Sequence, residues 1–172
     1  MLFVKIKKAA AIANHKSGSL REEIKDAIVE AADQVLAGAF DDQFPTPALQ
    51  GGAGTSLNMN VNEVLAARAT EILEKKGAKL TVHPNDHVNM SQSTNDVNPS
   101  ALKIACLQLG KTFFDRLDKA IDAFDTKAKE FADVHKLGRT HLQDAVPVTL
   151  GGEFSSYAAS LRRDSQRVKQ TL

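Results

Sequence analysis

Residues 101 to 131 read ALKIACLQLGKTFFDRLDKAIDAFDTKAKEF. Within that run Leu102, Cys106, Leu109, Phe113, Leu117, Ile121, Phe124, Ala128 and Phe131 follow one another in steps of three and four, with Lys and Asp on the other face. This is the apolar stripe of one long helix. At 1.5 Å rise per residue, some thirty residues span roughly 45 Å, a length that suits a long-helix bundle and not a compact small domain. Asn98 and Pro99 stand just upstream, a cap residue followed by a proline at the first helical position, so the helix is expected to begin there. Downstream, past the turn GRTHLQDAVP, a second long amphipathic segment carries Leu150, Phe154, Tyr157, Leu161 and Val168, still periodic at the last residues. The fold class expected is mainly α.

The segments before this run are shorter and more mixed. Ile6, Ala9, Ala10 and Ala13 keep helical spacing. After the turn residues His15 to Gly18, Ser19 and Glu22 have the spacing of a capping box. The helix expected there has Leu20, Ile24, Ile28, Ala31 and Val35 as its apolar face and Gly38 as its stop. Prolines, glycines and acids in FDDQFPTPALQGGAGTS, residues 40–56, predict a loop. Helix formers return from Glu63 to Lys76, with Val64, Ala67 and Ile72 among them and Gly77 at the C-terminal end. KLTVH reads as a short strand. A domain boundary is expected near Asp96. Residues 1–96 form a mixed helical N-terminal domain, and 97–172 form the start of a long-helix bundle.

The chain has 172 residues, 42% of them hydrophobic, and a formal net charge of +1. That balance excludes a disordered chain, a broad basic face for nucleic acid and a polybasic membrane anchor, and leaves a small molecule as the expected partner. Cys106 is the one cysteine, so no intrachain disulfide forms; its apolar neighbours predict a buried thiol. Lysines interrupt the apolar opening MLFVKIKKAAAIA, no signal-peptide core follows, and the expected compartment is the cytoplasm.

Three polar clusters are candidates for chemistry. In GGAGTSLNMNVNE, residues 51–63, small residues lead into a helix. Such a turn can offer backbone N–H groups and the Thr55 and Ser56 hydroxyls to an anion at the helix N-terminus, or it can merely cap the helix. It lacks the ending of a phosphate-binding Walker loop. In HPNDHVNMSQSTND, residues 83–96, short hydrogen-bonding side chains crowd together; solvated cap residues are the simpler reading. His83, Asp86 and His87 have no second half of metal-ligand spacing, so neither a metal nor another cofactor is expected. In GRTHLQDA, residues 138–145, His141 can be a proton carrier, a donor to a carboxylate or a turn residue. Thr140 is a neutral donor beside it, and Arg139 and Asp144 are placed to tune its imidazole.

Taken in order, GGAGTSLNMNVNEV, HPNDHVNMSQSTND and GRTHLQDAVPVTLGGEFSSYA resemble the aspartase and fumarase superfamily, mainly α-helical lyases that release fumarate. The likeness runs from about Ile6 onward. It implies that Ser93, Thr94 and Asn95 bind a carboxylate of a small dicarboxylate together with Thr55, and that Thr140 and His141 reach the same site from another subunit. Thr140 and His141 then belong to the catalytic group. It also implies that His83, Asn85 and Asp86 form a secondary dicarboxylate site, and that the working molecule is a homotetramer. The implied chemistry is an anti elimination through a doubly charged aci-carboxylate, which neutral donors and helix N-termini stabilise.

The family's GSSxMPxKxN loop, which provides a serine base and a lysine, is not found in these 172 residues, and the resemblance implies further bundle helices beyond them. Ala53 in GGAGT and Thr94 in QSTND look like aspartase, whereas HPND and GRTH lean toward fumarase. L-aspartate is therefore the first expected substrate and malate or fumarate the alternative. A non-catalytic helical interaction module is the alternative from another class.

Overall fold

The computed structural model describes residues 2–47, 49 and 51–171; Met1, Ala48, Gln50 and Leu172 lie outside the described residues. The chain is mainly helical and forms two compact units, Met1–Ala105 and Cys106–Leu172. No helix among the described residues is long and apolar enough to cross a membrane.

In the first unit, α1 (Leu2–Lys16), α2 (Glu22–Leu36) and α3 (Thr55–Lys75) pack around one core. From α2 come Ile24, Ala27, Ile28, Ala31 and Val35, and from α3 come Val61, Leu65, Ala69 and Ile72, all buried. Leu20, Ile24, Ile28, Ala31 and Val35 are the face expected from the spacing. Each large side chain fully removed from water contributes about 1.5–3 kcal/mol, so this core carries the unit. α2 ends before Gly38, whose φ of +94° suits glycine and whose N–H returns to the Val35 carbonyl at 3.1 Å. α3 ends in a Schellman turn. Gly77, at φ +76°, donates to Glu74 O at 2.9 Å and Ala78 donates to Leu73 O at 3.0 Å.

Several local expectations are corrected. α1 buries Val4, Lys7, Ala11 and Asn14, while Ala9 and Ala13 are exposed. Lysine and asparagine at two of four inward positions hide that face from a hydrophobic count. Ser19 and Glu22 form no capping box. α2 starts two residues later, with Arg21 extended at its N-cap, because the Ser19 and Leu20 N–H groups are already taken by the Asn14 carbonyl at 2.9 and 3.1 Å. At the helix start, a backbone N–H and the Arg21 guanidinium hold the Glu23 carboxyl below its ordinary range. α3 begins at Thr55, eight residues before the expected Glu63, so the asparagine-rich segment is helical. KLTVH pairs with no other strand among the described residues; Val82 N–H donates to Thr70 Oγ1 at 2.9 Å instead.

α4 spans Thr94–Glu130, 37 residues, and starts earlier than Asn98 with Pro99 inside it. The cause is the capping box the sequence hid in SQSTND. Ser93 Oγ accepts from Asn95 N–H at 3.2 Å, and Asp96 Oδ2 reaches back to accept from Ser93 N–H at 2.9 Å. Two satisfied donors outweigh the single N–H that Pro99 removes one turn later. The expected buried thiol is also corrected. Cys106 is exposed, as are Leu102, Leu109 and Phe113 at 66%, 72% and 53%, because no element covers this side of α4 among the described residues.

In the second unit the expected GRTHLQDAVP turn is a β-hairpin. β1 (His135–Thr140) pairs antiparallel with β2 (Gln143–Thr149), with a register shift at Gly138. His141 and Leu142 form its two-residue connection, both at positive φ, +51° and +61°. α5 (Leu150–Thr171) then runs back along α4. Phe124 meets Phe154 and Tyr157 at 5.9 and 5.8 Å between ring centroids, Phe131 meets Phe154 at 5.6 Å, and Arg162 pairs with Asp125 at 2.5 Å. A Cβ on Gly151 would run into the Ala128 and Phe131 carbonyls, so glycine there lets α5 start against the end of α4.

Candidate active site

Two helix N-termini meet in the first unit. Gly54 caps α3 in the left-handed region at φ +82°, preceded by Ala53 at +49°, and a Cβ on Gly54 would overlap the Asn98 side chain of α4. One turn into α3, Asn58 Nδ2 donates to Thr94 Oγ1 at 3.2 Å. The glycine turn with Thr55 and the segment Ser93, Thr94 and Asn95 are thereby parts of one locality. Thr55, Ser93 and Asn95 are exposed and Thr94 is half-buried, so all four can be reached by a solute.

The hydrogen bonds set what each group has left to offer. Ser93 Oγ and Thr94 Oγ1 already act as acceptors, from Asn95 N–H and from Asn58, and each hydroxyl keeps its proton. Both protons lie at the positive end of α4, where an anion is favoured by about 0.3–1 kcal/mol at an exposed site. A cavity of about 680 Å³ opens beside them, bordered by Ala53, Leu57, Asn95, Asn98 and the apolar Leu2 and Leu102. Its lining is mostly apolar, with Asn95 and Asn98 as the polar side chains nearest the Ser93 and Thr94 hydroxyls.

Behind these hydroxyls lies a buried polar network that hydrophobic periodicity does not show. Lys7, fully buried, donates to Asn89 Oδ1 at 2.7 Å and to Gln92 Oε1 at 3.0 Å. Asn89 Oδ1 also receives Asn58 Nδ2 at 3.1 Å and Asn62 Nδ2 at 3.2 Å, and Asn14 Nδ2 donates to Met90 O at 2.9 Å. Burial lowers the Lys7 pKa to about 8. The available signal was composition: Asn58 and Asn62, one turn apart inside a helix that disfavours asparagine, mark a polar face turned inward.

Asn85 and Asp86 lie on a single π-helical turn, Pro84–Val88, and His83 is its extended N-cap. His83 Nδ1 accepts the Asp86 N–H at 3.2 Å, and His83 N–H donates to His87 Nδ1 at 2.8 Å, so the imidazoles serve as caps of the turn. All three named residues are exposed. No group of three His, Cys, Asp or Glu side chains that could hold a metal ion occurs among the described residues. Thr140 and His141 belong to the second unit, exposed at the hairpin tip, where Thr140 is opposite Gln143. Arg139 and Asp144 pair with each other at 3.3 Å across the hairpin.

The family model described as Lyase matches residues 1–172. The chain belongs to this lyase family. It is 52% identical over 167 residues to aspartate ammonia-lyase of Bacillus subtilis, covering 96% of this chain and 35% of that protein. It is 49% identical over 173 residues to class II fumarate hydratase of Campylobacter jejuni, covering 99% of this chain and 37% of that protein. The crystal structure of a fumarate lyase:delta crystallin from Brucella melitensis superposes with a TM-score of 0.81 at 50% identity, over 98% of this chain and 38% of that one. The lyase chain thus spans little more than a third of the length of these relatives, and it is similar to aspartases and fumarases alike. This is the aspartase and fumarase superfamily that the three motifs resemble, with the lyase fold expected of it.

Proposed function

We propose that this chain supplies the first part of a lyase active site that eliminates ammonia from L-aspartate to give fumarate. Thr55, Ser93, Thr94 and Asn95 hold one substrate carboxylate. As the neighbouring carbon loses its proton that carboxylate becomes a dianion, and pre-aimed neutral donors at two helix N-termini stabilise it without reorganising. Thr140 and His141, brought from another subunit of a homotetramer, hold the second carboxylate or relay a proton. His83, Asn85 and Asp86 form a separate dicarboxylate site on the exposed π turn. Residues 1–96 act as the N-terminal lyase domain and 97–172 as the beginning of the central bundle, in a cytoplasmic enzyme.

The observation that carries this reading is the pair of hydroxyls whose oxygens are already engaged. Ser93 and Thr94 can serve an incoming group as donors, and a carboxylate is an acceptor. Ala53 and Thr94 favour aspartate. Malate hydration is the second reading, favoured by HPND and by similarity to fumarases of nearly the same degree.

Grafting this chain in place of the matching third of the Bacillus subtilis relative tests both. The graft is expected to form fumarate from aspartate, with Thr94→Val lowering kcat/KM by roughly 10²-fold, the scale of one donor to a developing oxyanion. Fumarate from malate alone would select the second reading. A folded tetrameric graft that makes fumarate from neither would overturn the proposal.

A further inference from the structure

Lys7 is a buried cation whose partners are amide oxygens of neutral side chains, Asn89 and Gln92. An ammonium only donates, so Asn89 must turn its oxygen toward Lys7, and its nitrogen goes to Gln92 O at 3.1 Å. The same Asn89 oxygen then draws the amide nitrogens of Asn58 and Asn62. This orientation is costly at its far end. Asn58 Oδ1 and Asn62 Oδ1 are buried without a hydrogen-bond partner, and a buried acceptor left unmet is destabilising. Were Asn89 free to turn over and present its nitrogen, the Asn58 oxygen could turn to meet it. The orphaned oxygens fit a sense of the amides set from the Lys7 end.

We propose that Lys7 is a positioning residue. It sets the direction of a relay from Lys7 through Asn89 and Asn58 to Thr94, so that the Thr94 hydroxyl accepts from Asn58 and keeps its proton for a substrate carboxylate. If the relay ran the other way, Asn58 would present its oxygen, Thr94 would donate to it, and the site would lose a donor. The inference rests on the reading of Thr94 as a carboxylate ligand. It adds a residue more than eighty positions away in sequence that never touches the substrate. With its pKa at about 8, Lys7 is mostly charged at neutral pH and holds the relay in this sense.

The test uses the ¹⁵N-labelled 172-residue chain titrated with succinate, read at the Thr94 and Asn95 amides. Lys7→Met is expected to raise the dissociation constant about tenfold, the scale of one lost hydrogen bond to a charged group. Thr94→Val should do the same, and the double variant should lose no more than either alone. A purely structural lysine would give additive losses, which overturns the relay. Lys7→Gln fills the space without obliging Asn89 to present oxygen, and serves if Lys7→Met does not fold. An independent readout is the contact between the Asn58 amide protons and the Thr94 methyl, expected in the parent chain and lost in either Lys7 variant. Its persistence also overturns the relay. Absence of succinate binding by the parent chain, with the contact behaving as expected, would instead remove the dicarboxylate reading and leave the relay's direction standing.

Discussion

The two units spend their apolar residues differently. In Met1–Ala105 the aliphatic side chains on the inward faces of α2 and α3, from Ile24, Ile28 and Val35 to Val61, Leu65, Ile72 and Leu73, are buried. Among the described residues of Cys106–Leu172 the buried hydrophobic ones are Ile121 and Ala158, while Leu107, Leu109, Phe113, Tyr157 and Val168 stay between 43% and 72% exposed. The first unit has a core of its own. The second has a seam of aromatic contacts between α4 and α5 and an apolar surface left exposed.

Core truncation gives the largest expected contrast. Leu65→Ala, at a fully buried position, should lower stability by about 3 kcal/mol, whereas Phe113→Ala should change it by no more than about 0.5 kcal/mol in dilute monomer. Urea unfolding of the two variants checks this, and equal losses would erase the distinction.

Lys7 sharpens the comparison from the polar side. Its pKa falls from 10.5 to about 8 on folding. Between those values the unfolded chain binds the extra proton and the folded chain does not, so stability rises as pH climbs from 8 toward 10.5. The gain approaches about 3 kcal/mol and is absent in Lys7→Met. Denaturant midpoints at pH 8, 9 and 10 for both chains would show it. A parent chain that follows the variant across that window would show that the burial penalty on Lys7 is not expressed.

If the first unit also carries substrate choice, Ala53→Ser in the grafted lyase adds a hydroxyl at the glycine turn. It should move the ratio of specificity constants toward malate by about 1–2 kcal/mol. A fixed ratio between aspartate and malate places the discriminator elsewhere. The smallest effect on stability is expected from Leu109→Lys, which sits on the wet stripe of α4: about 0.5 kcal/mol or less in unfolding. Its consequence lies in association. The parent chain should scatter light as an oligomer at micromolar concentration and the variant as a monomer; a monomeric parent would show that the stripe needs no second copy.

What was legible in the sequence follows the same division. The α2 stripe from Leu20 to Val35 could be read because burial on one face writes a period into the residues. The α4 and α5 stripes could be read as well, but their exposure could not, since an uncovered apolar face carries the same pattern as a covered one. The inward face of α1 was hidden because Lys7 and Asn14 are buried by hydrogen bonding, which leaves no hydrophobic mark. The hairpin was missed because both of its faces are largely exposed, so no alternation was required, and its connection uses His141 and Leu142 in place of a glycine. Of the candidate site, Thr55 and Ser93 to Asn95 were recognised through the motifs. The capping box around Ser93 and the Asn58 bond to Thr94, which give those hydroxyls their direction, required coordinates.

α4 is geometrically one helix of 37 residues, about 55 Å long. Its first two turns bury Val97 and Ala101, its far half lies against α5, and residues 102–113 between them are exposed or only half-covered. A dozen helical residues held by their own propensity are marginal in water. The helix is continuous in shape, and its middle is expected to open more often than its ends. Amide protons of 102–113 should exchange with deuterium well before those of α3, through local openings that leave both ends intact. When another surface settles on that stretch, the same protons should slow first, which makes the middle of α4 a clock for assembly.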